Sequence, residues 1–227
     1  MRLDSIRTPD DLRDLGPDEL RCLAAEIRER IVETVGRTGG HLGSNLGAVE
    51  LTLALHRVFD SPRDAILWDT GHQTYVHKLL TGRNAGFDGL RQGGQMSGYA
   101  SRAESGHDWI ENSHASTVLA YAHGLATAEA TTGGSRRVVA VIGDGSMTGG
   151  MAFEGLNNLG HSGLKVTIVL NDNGRSYAPT VGRLSESLIR IRSNPTYMRR
   201  QRRLEDIAEK LPWVGELLER SISATKA

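Results

Sequence analysis

Residues 138–173 read VVAVIGDGSMTGGMAFEGLNNLGHSGLKVTIVLNDN, and this stretch most restricts what the chain can become. Val138 to Ile142 is a short apolar run rich in β-branched residues, the pattern of a strand buried on both faces. It ends in Gly143-Asp144-Gly145, where two glycines permit a tight turn and close approach of backbone to a ligand. Ser146 to Leu159 then reads as a helix, with Met147, Met151, Leu156 and Leu159 near helical spacing. Lys165 to Leu170 reads as a second buried strand, ending in Asn171-Asp172-Asn173. A strand-helix-strand unit of this kind puts Asp144 and Asn173 at one carboxyl edge of a parallel sheet. Two hard oxygen ligands there suit a magnesium ion carrying a diphosphate. A plain βαβ unit with turn glycines is the alternative.

The chain has 227 residues, with 27 Lys plus Arg against 27 Asp plus Glu, so its formal charge is zero. That balance argues against a general nucleic-acid binder. A single cysteine, Cys22, excludes an intrachain disulfide and suits a reducing, cytoplasmic location. The opening MRLDSIRTPDDLRDL is polar and acidic, unlike a signal peptide, and no apolar run approaches membrane-spanning length.

Upstream, Pro17 to Val35 predicts an amphipathic helix stopped by Gly36, with Leu20, Leu23, Ala24, Ile27, Ile31 and Val35 on one face. Thr38 to Asn45, TGGHLGSN, is a glycine-rich turn holding His41, readable as a ligand approach or as a helix stop and cap; a helix to about Phe59 follows. Ala65 to Trp68 predicts a strand ending in Asp69-Thr70-Gly71-His72-Gln73, with His72 opening a helix. Residues 87–104 lack periodicity and read as a long loop, a type often functional in compact domains. Asn112-Ser113-His114-Ala115-Ser116-Thr117 is a third histidine turn, before a helix of small residues from Val118 to Ala130. Turns of this kind gather at the carboxyl edge of a doubly wound parallel α/β sheet with helices on both faces. Three histidines also raise zinc, but they are not closely spaced and lack an HExxH-type partner.

Beyond Leu188 the chain changes character, with nine Lys or Arg against five acids. Residues 189–227 are expected to form a basic, partly helical, mobile segment, its arginines either a solvated helix face or a flap toward phosphate or a partner. Residues 1–188 form the expected globular domain.

Six stretches carry a resemblance: residues 38–64, TGGHLGSNLGAVELTLALHRVFDSPRD; 68–83, WDTGHQTYVHKLLTGR; 97–105, SGYASRAES; 111–117, ENSHAST; 141–158, VIGDGSMTGGMAFEGLNN; and 171–188, NDNGRSYAPTVGRLSESL. Together they resemble the N-terminal part of 1-deoxy-D-xylulose-5-phosphate synthase, a transketolase relative. ENSHAST and SYAPT disfavour a ketose-transferring transketolase. The resemblance implies thiamine diphosphate and Mg2+ as cofactors. It implies Asp144 and Asn173 as side-chain metal ligands, with the carbonyl of Arg175 as a third. Gly145 and Ser146 would touch the diphosphate; His72, Ser113, His114 and Ala115 would contact the cofactor; His41 and His72 are the implied catalytic histidines. His41 would face the reacting centre, moving a proton or stabilising an oxyanion. Gly174 departs from the pattern, since the family usually has an acidic residue there.

The resemblance further implies pyruvate and D-glyceraldehyde 3-phosphate as substrates, in isoprenoid-precursor and thiamine biosynthesis. The family's chain is more than twice as long, so its pyrimidine-binding and C-terminal domains are expected to be absent here. Glu50, Glu111 and Glu154 are the local carboxylates by motif position, poorly placed for the aminopyrimidine ring. A homodimer, or association with a chain carrying the missing domains, is then expected, with activity only when such a chain is supplied; a non-catalytic, cofactor-binding or subunit-association remnant is the rival reading.

Overall fold

The computed structural model describes residues 2–111 and 113–172. The expected boundary near residue 188, the basic segment 189–227, Asn173 and Arg175 all lie outside those residues. Helix α1 is Pro17–Thr38, with Pro17 in its first turn and the Glu19 carboxylate accepting the Gly16 N–H at 2.8 Å. It runs through Gly36 and ends three residues later than that glycine predicts. The stop is Gly39, whose φ of 75° a side chain would resist. The helix buries Leu23, Ile27 and Ile31 completely, each contributing about 1.5–3 kcal/mol. They pack with Val49, Leu53, Tyr75, Val76, Leu79 and Phe87 into one core cluster.

The helix expected up to Phe59 is two pieces, α2 Leu42–Leu46 and α3 Val49–Val58. Strand β1 is Ala65–Trp68. His72 does not open a helix: α4, Tyr75–Lys78, begins three residues later. Helix α5 is Val118–Thr132, β2 is Val138–Gly143, α6 is Gly150–Ser162 and β3 is Val166–Asn171. The helix expected from Ser146 starts instead as a 3-10 turn, Ser146–Thr148, broken at Gly149, whose ψ of 143° is extended.

The three strands form a parallel sheet in the order β1-β2-β3, with Trp68 opposite Val141 and Gly143 opposite Asn171. Leu55 of α3 packs with Ile66, Trp68, Val139 and Val141 on one face. Helix α5 touches all three strands, has no residue in that cluster, and so covers the other face. This is the expected α/β architecture. The expectation for β3 fails. Strand β3 is not buried on both sides, because Thr167 and Ile168 are exposed where β3 ends the described sheet. No helix among the described residues is long and apolar enough to cross a membrane.

Candidate functional site

Parallel strands deliver their loops to one edge, and the ladder there runs past the strand ends. The Asp69 N–H donates to the Val141 carbonyl at 2.8 Å, and the Asp144 N–H to the Asn171 carbonyl at 3.3 Å. Asp69, Asp144 and Asn171 therefore stand at successive strand ends.

Asp69, whose role the sequence did not disclose, organises this edge. It is fully buried, and its carboxylate accepts the backbone N–H of Ser116 at 3.0 Å, Thr117 at 2.9 Å and Val118 at 3.0 Å. These groups lie at the start of α5, which has no side-chain cap of its own. A carboxylate supplied from β1 fills that role, where the helix dipole also favours negative charge. The third histidine turn is thereby fixed to the end of β1. Ser116 then donates its hydroxyl to the Ser146 carbonyl at 2.5 Å, joining the same turn to the one after β2. Gly149 has no side chain because a methyl there would overlap Ser116 Oγ. Thr70 Oγ1 lies 3.5 Å from Ser146 Oγ, and Asn171 donates to Gln73 Oε1 at 3.0 Å, so each strand end is tied to the β1 turn.

The two upstream histidines meet. The rings of His41 and His72 are 5.4 Å apart and edge-on, and Tyr99 stands edge-on to His41 at 6.0 Å. Each histidine has a buried Nδ1 without a hydrogen-bond partner among the described residues. Burial holds His41 below the usual histidine range, helped by the charge of Arg91. Burial also lowers His72, helped by His41 and opposed by Asp69. Both rings are therefore neutral near pH 7. Arg91, missed in the sequence, has a φ of 64°; Thr70 and Ser116, at 61° and 70°, share this uncommon left-handed backbone.

The remaining expected residues divide. Asp144 and Gly145 are half-buried and Ser146 is buried in the turn after β2; Ser113, His114 and Ala115 are exposed in the turn that Ser116 ties to it. Asn173 and Arg175 lie outside the described residues. Among the described residues no group of three or more His, Cys, Asp or Glu is arranged to hold a metal ion.

A second polar cluster lies behind the site. His56 Nε2 is 2.9 Å from His77 Nδ1, and His77 Nε2 is 2.9 Å from Asp108 Oδ1. Burial lowers both histidines, so His77 is neutral, donating from Nε2 to Asp108 and accepting at Nδ1 from His56. Arg83 donates to both oxygens of Asp108, at 2.7 and 3.0 Å, and the fully buried Lys78 pairs with Glu104. Burial would raise the Asp108 carboxyl, but the bonds from His77 and Arg83 outweigh it and hold it far below the usual range. Asp108 and Glu104 also accept the backbone N–H groups of Ser101 and Ser97, at 2.7 and 2.6 Å. These bonds fasten the segment carrying Tyr99 beside His41.

The sequence model of 1-deoxy-D-xylulose-5-phosphate synthase matches residues 3–227. A protein of that name from Rhodococcus jostii (strain RHA1) is 60% identical over 211 residues, which are 92% of this chain and 32% of the relative. One from Mycobacterium leprae (strain Br4923) is 56% identical over 226 residues, 99% of this chain and 35% of the relative. One from Frankia casuarinae is 59% identical over 213 residues, 94% and 32% of the two chains. The chain thus spans about a third of the length of the curated relatives it matches. With a family match across nearly its whole length, the chain belongs to the 1-deoxy-D-xylulose-5-phosphate synthase family.

Proposed function

We propose that this chain is the diphosphate- and metal-binding part of a 1-deoxy-D-xylulose-5-phosphate synthase, joining pyruvate to D-glyceraldehyde 3-phosphate with loss of carbon dioxide. The observation that carries this reading is the meeting of His41 and His72, each with an unpartnered buried Nδ1, at the strand edge that bears Asp144. A polar ligand with its own hydrogen-bonding groups fits such a place, since buried polar atoms otherwise find partners.

In this reading Asp144 and Asn173, with the Arg175 carbonyl, would hold Mg2+. Gly145 and Ser146 would meet the diphosphate, and His72 with Ser113, His114 and Ala115 would meet the rest of thiamine diphosphate. When bound, that cofactor supplies the electron sink for losing carbon dioxide and forming the new carbon–carbon bond. The chain's own residues bind, orient and move protons. His41, neutral because it is buried beside Arg91, can give or take a proton at a substrate oxygen. Asp69 keeps the turns of His72 and His114 in one arrangement through the start of α5. The working protein would be a cytoplasmic homodimer or other assembly, active where the family's remaining domains are also present.

Calorimetric titration of the chain with thiamine diphosphate, with and without Mg2+, tests this. Binding should require the metal, because Asp144 would otherwise repel the anionic diphosphate. Asp144→Ala and Asn173→Ala should each remove that requirement together with tight binding. Unchanged, metal-dependent binding in both variants would show that the metal lies elsewhere.

A further inference from the structure

We infer that Asn45 is the positioning residue that sets the two histidines against each other across the site. For its meaning in the reaction this rests on the function proposed above; its geometry stands alone. Asn45 is fully buried at the end of α2, in a place where an amide must use its bonding capacity or cost stability. It does so at three points. Its Nδ2 donates to the His41 carbonyl at 2.6 Å and to the His72 carbonyl at 2.8 Å, and its Oδ1 accepts the Tyr75 N–H at 2.9 Å.

One side chain thus grips the backbone of both glycine-histidine turns at the histidines themselves. The turns come from distant parts of the chain, before α3 and after β1, so no local hydrogen bond holds them in register. Tyr75 adds one link, its hydroxyl accepting the His41 N–H at 3.3 Å. Because the bonds go to the histidine carbonyls, they fix where each side chain leaves the backbone, and so the edge-on ring contact at 5.4 Å. Few residues could replace it. Aspartate has the same shape but no donor, and would set a carboxylate against two carbonyls. Serine is too short to reach all three partners.

The test follows the rings in the 227-residue chain by NMR, through the His41–His72 ring-proton contact and the titration of His72. The groups facing His72 are His41, which opposes its protonation, and Asp69, which favours it; Arg91 faces His41. With Asn45 present, His41→Gln should raise the His72 midpoint. In Asn45→Ala that dependence and the ring contact should both be lost. Asn45→Asp, which keeps the acceptor and removes both donors, should lose them equally. Asn45→Ser, retaining one hydroxyl donor, should restore part of them, and it serves if Asn45→Ala does not fold. A folded Asn45→Ala or Asn45→Asp protein with wild-type ring contact and wild-type dependence on His41 would overturn the assignment. So would a His72 midpoint indifferent to His41 in the parent chain. None of these readouts uses cofactor. Failure of thiamine diphosphate to bind the parent chain would sink the proposed function while leaving the Asn45 result readable.

Discussion

A single buried carboxylate, Asp69, holds three backbone N–H groups that would otherwise be unsatisfied at the start of α5. Asp69→Ala leaves those donors without an acceptor, and the loss is expected to be about 1–3 kcal/mol or more, read from the midpoint of urea unfolding. Asp69→Asn keeps the shape but loses the charge and one acceptor, so it should fall between parent and alanine. His107 offers a pH-dependent counterpart. Burial first, then the neighbouring His77 and the charge of Arg83, push it down to about 4, and its Nδ1 lies 2.9 Å from Ser61 Oγ. The unfolded chain takes up that proton near the usual histidine value of 6.5 and the folded chain only near 4. Between those values the unfolded state binds more protons, so stability is fully present above about 6.5 and declines as the pH falls toward 4. His107→Asn, which can keep the bond to Ser61, should flatten part of that decline in a series of melts between pH 7 and 4. A slope identical to the parent's would show that His107 is not neutral in the folded chain.

The segment between residues 97 and 108 has no regular structure, yet Glu104 and Asp108 anchor it to Lys78, His77 and Arg83. Removing Asp108 leaves the nearly buried Arg83 guanidinium charged and short of its main partner, so Asp108→Ala is expected to cost about 3–5 kcal/mol. It should also speed amide exchange at Ser101, whose N–H it holds. Helices α5 and α6 meet differently, at Gly155, where a Cβ would sit 2.7 Å from that of Leu119. Gly155→Val should therefore destabilise by about 1–3 kcal/mol through overpacking, visible as a lowered Tm. These elements show what could be read in advance. The apolar runs ending in Asp69 and Gly143-Asp144-Gly145, and the glycine-histidine turns, announced a parallel sheet with these turns gathered at one edge, because strand period and turn chemistry are local. Asn45, Asp69, Asp108 and Arg91 stayed hidden, because each acts on residues distant in sequence or through backbone strain. The helix ends were misplaced for a related reason. Gly36 reads as a stop by composition, but its surroundings are open and the helix passes through it.

At the scale of the whole molecule the question is whether 227 residues, about a third of the relatives' length, can turn over. Under the proposed function, a carboxylate from another domain would activate the cofactor's aminopyrimidine ring. The three local carboxylates named by motif position are occupied elsewhere. Glu50 is exposed and takes both bonds of Arg28, at 2.7 and 2.6 Å. Glu111 accepts the Arg102 N–H at 2.5 Å, and Glu154 holds Asn158 of its own helix at 2.8 Å. Each is an exposed group satisfied by a near neighbour, and none lies among the residues that join His41, His72 and the strand ends. The purified chain, given pyruvate, glyceraldehyde 3-phosphate, thiamine diphosphate and Mg2+, is therefore expected to form no 1-deoxy-D-xylulose 5-phosphate. Adding a polypeptide with the remaining domains should restore product, with a rate that saturates in the added chain. His41→Gln and Asp144→Ala in the 227-residue partner should then abolish it. Multiple turnovers by the chain alone would mean that an activating carboxylate lies within these 227 residues, and successive Glu→Gln replacement at 50, 111 and 154 would locate it.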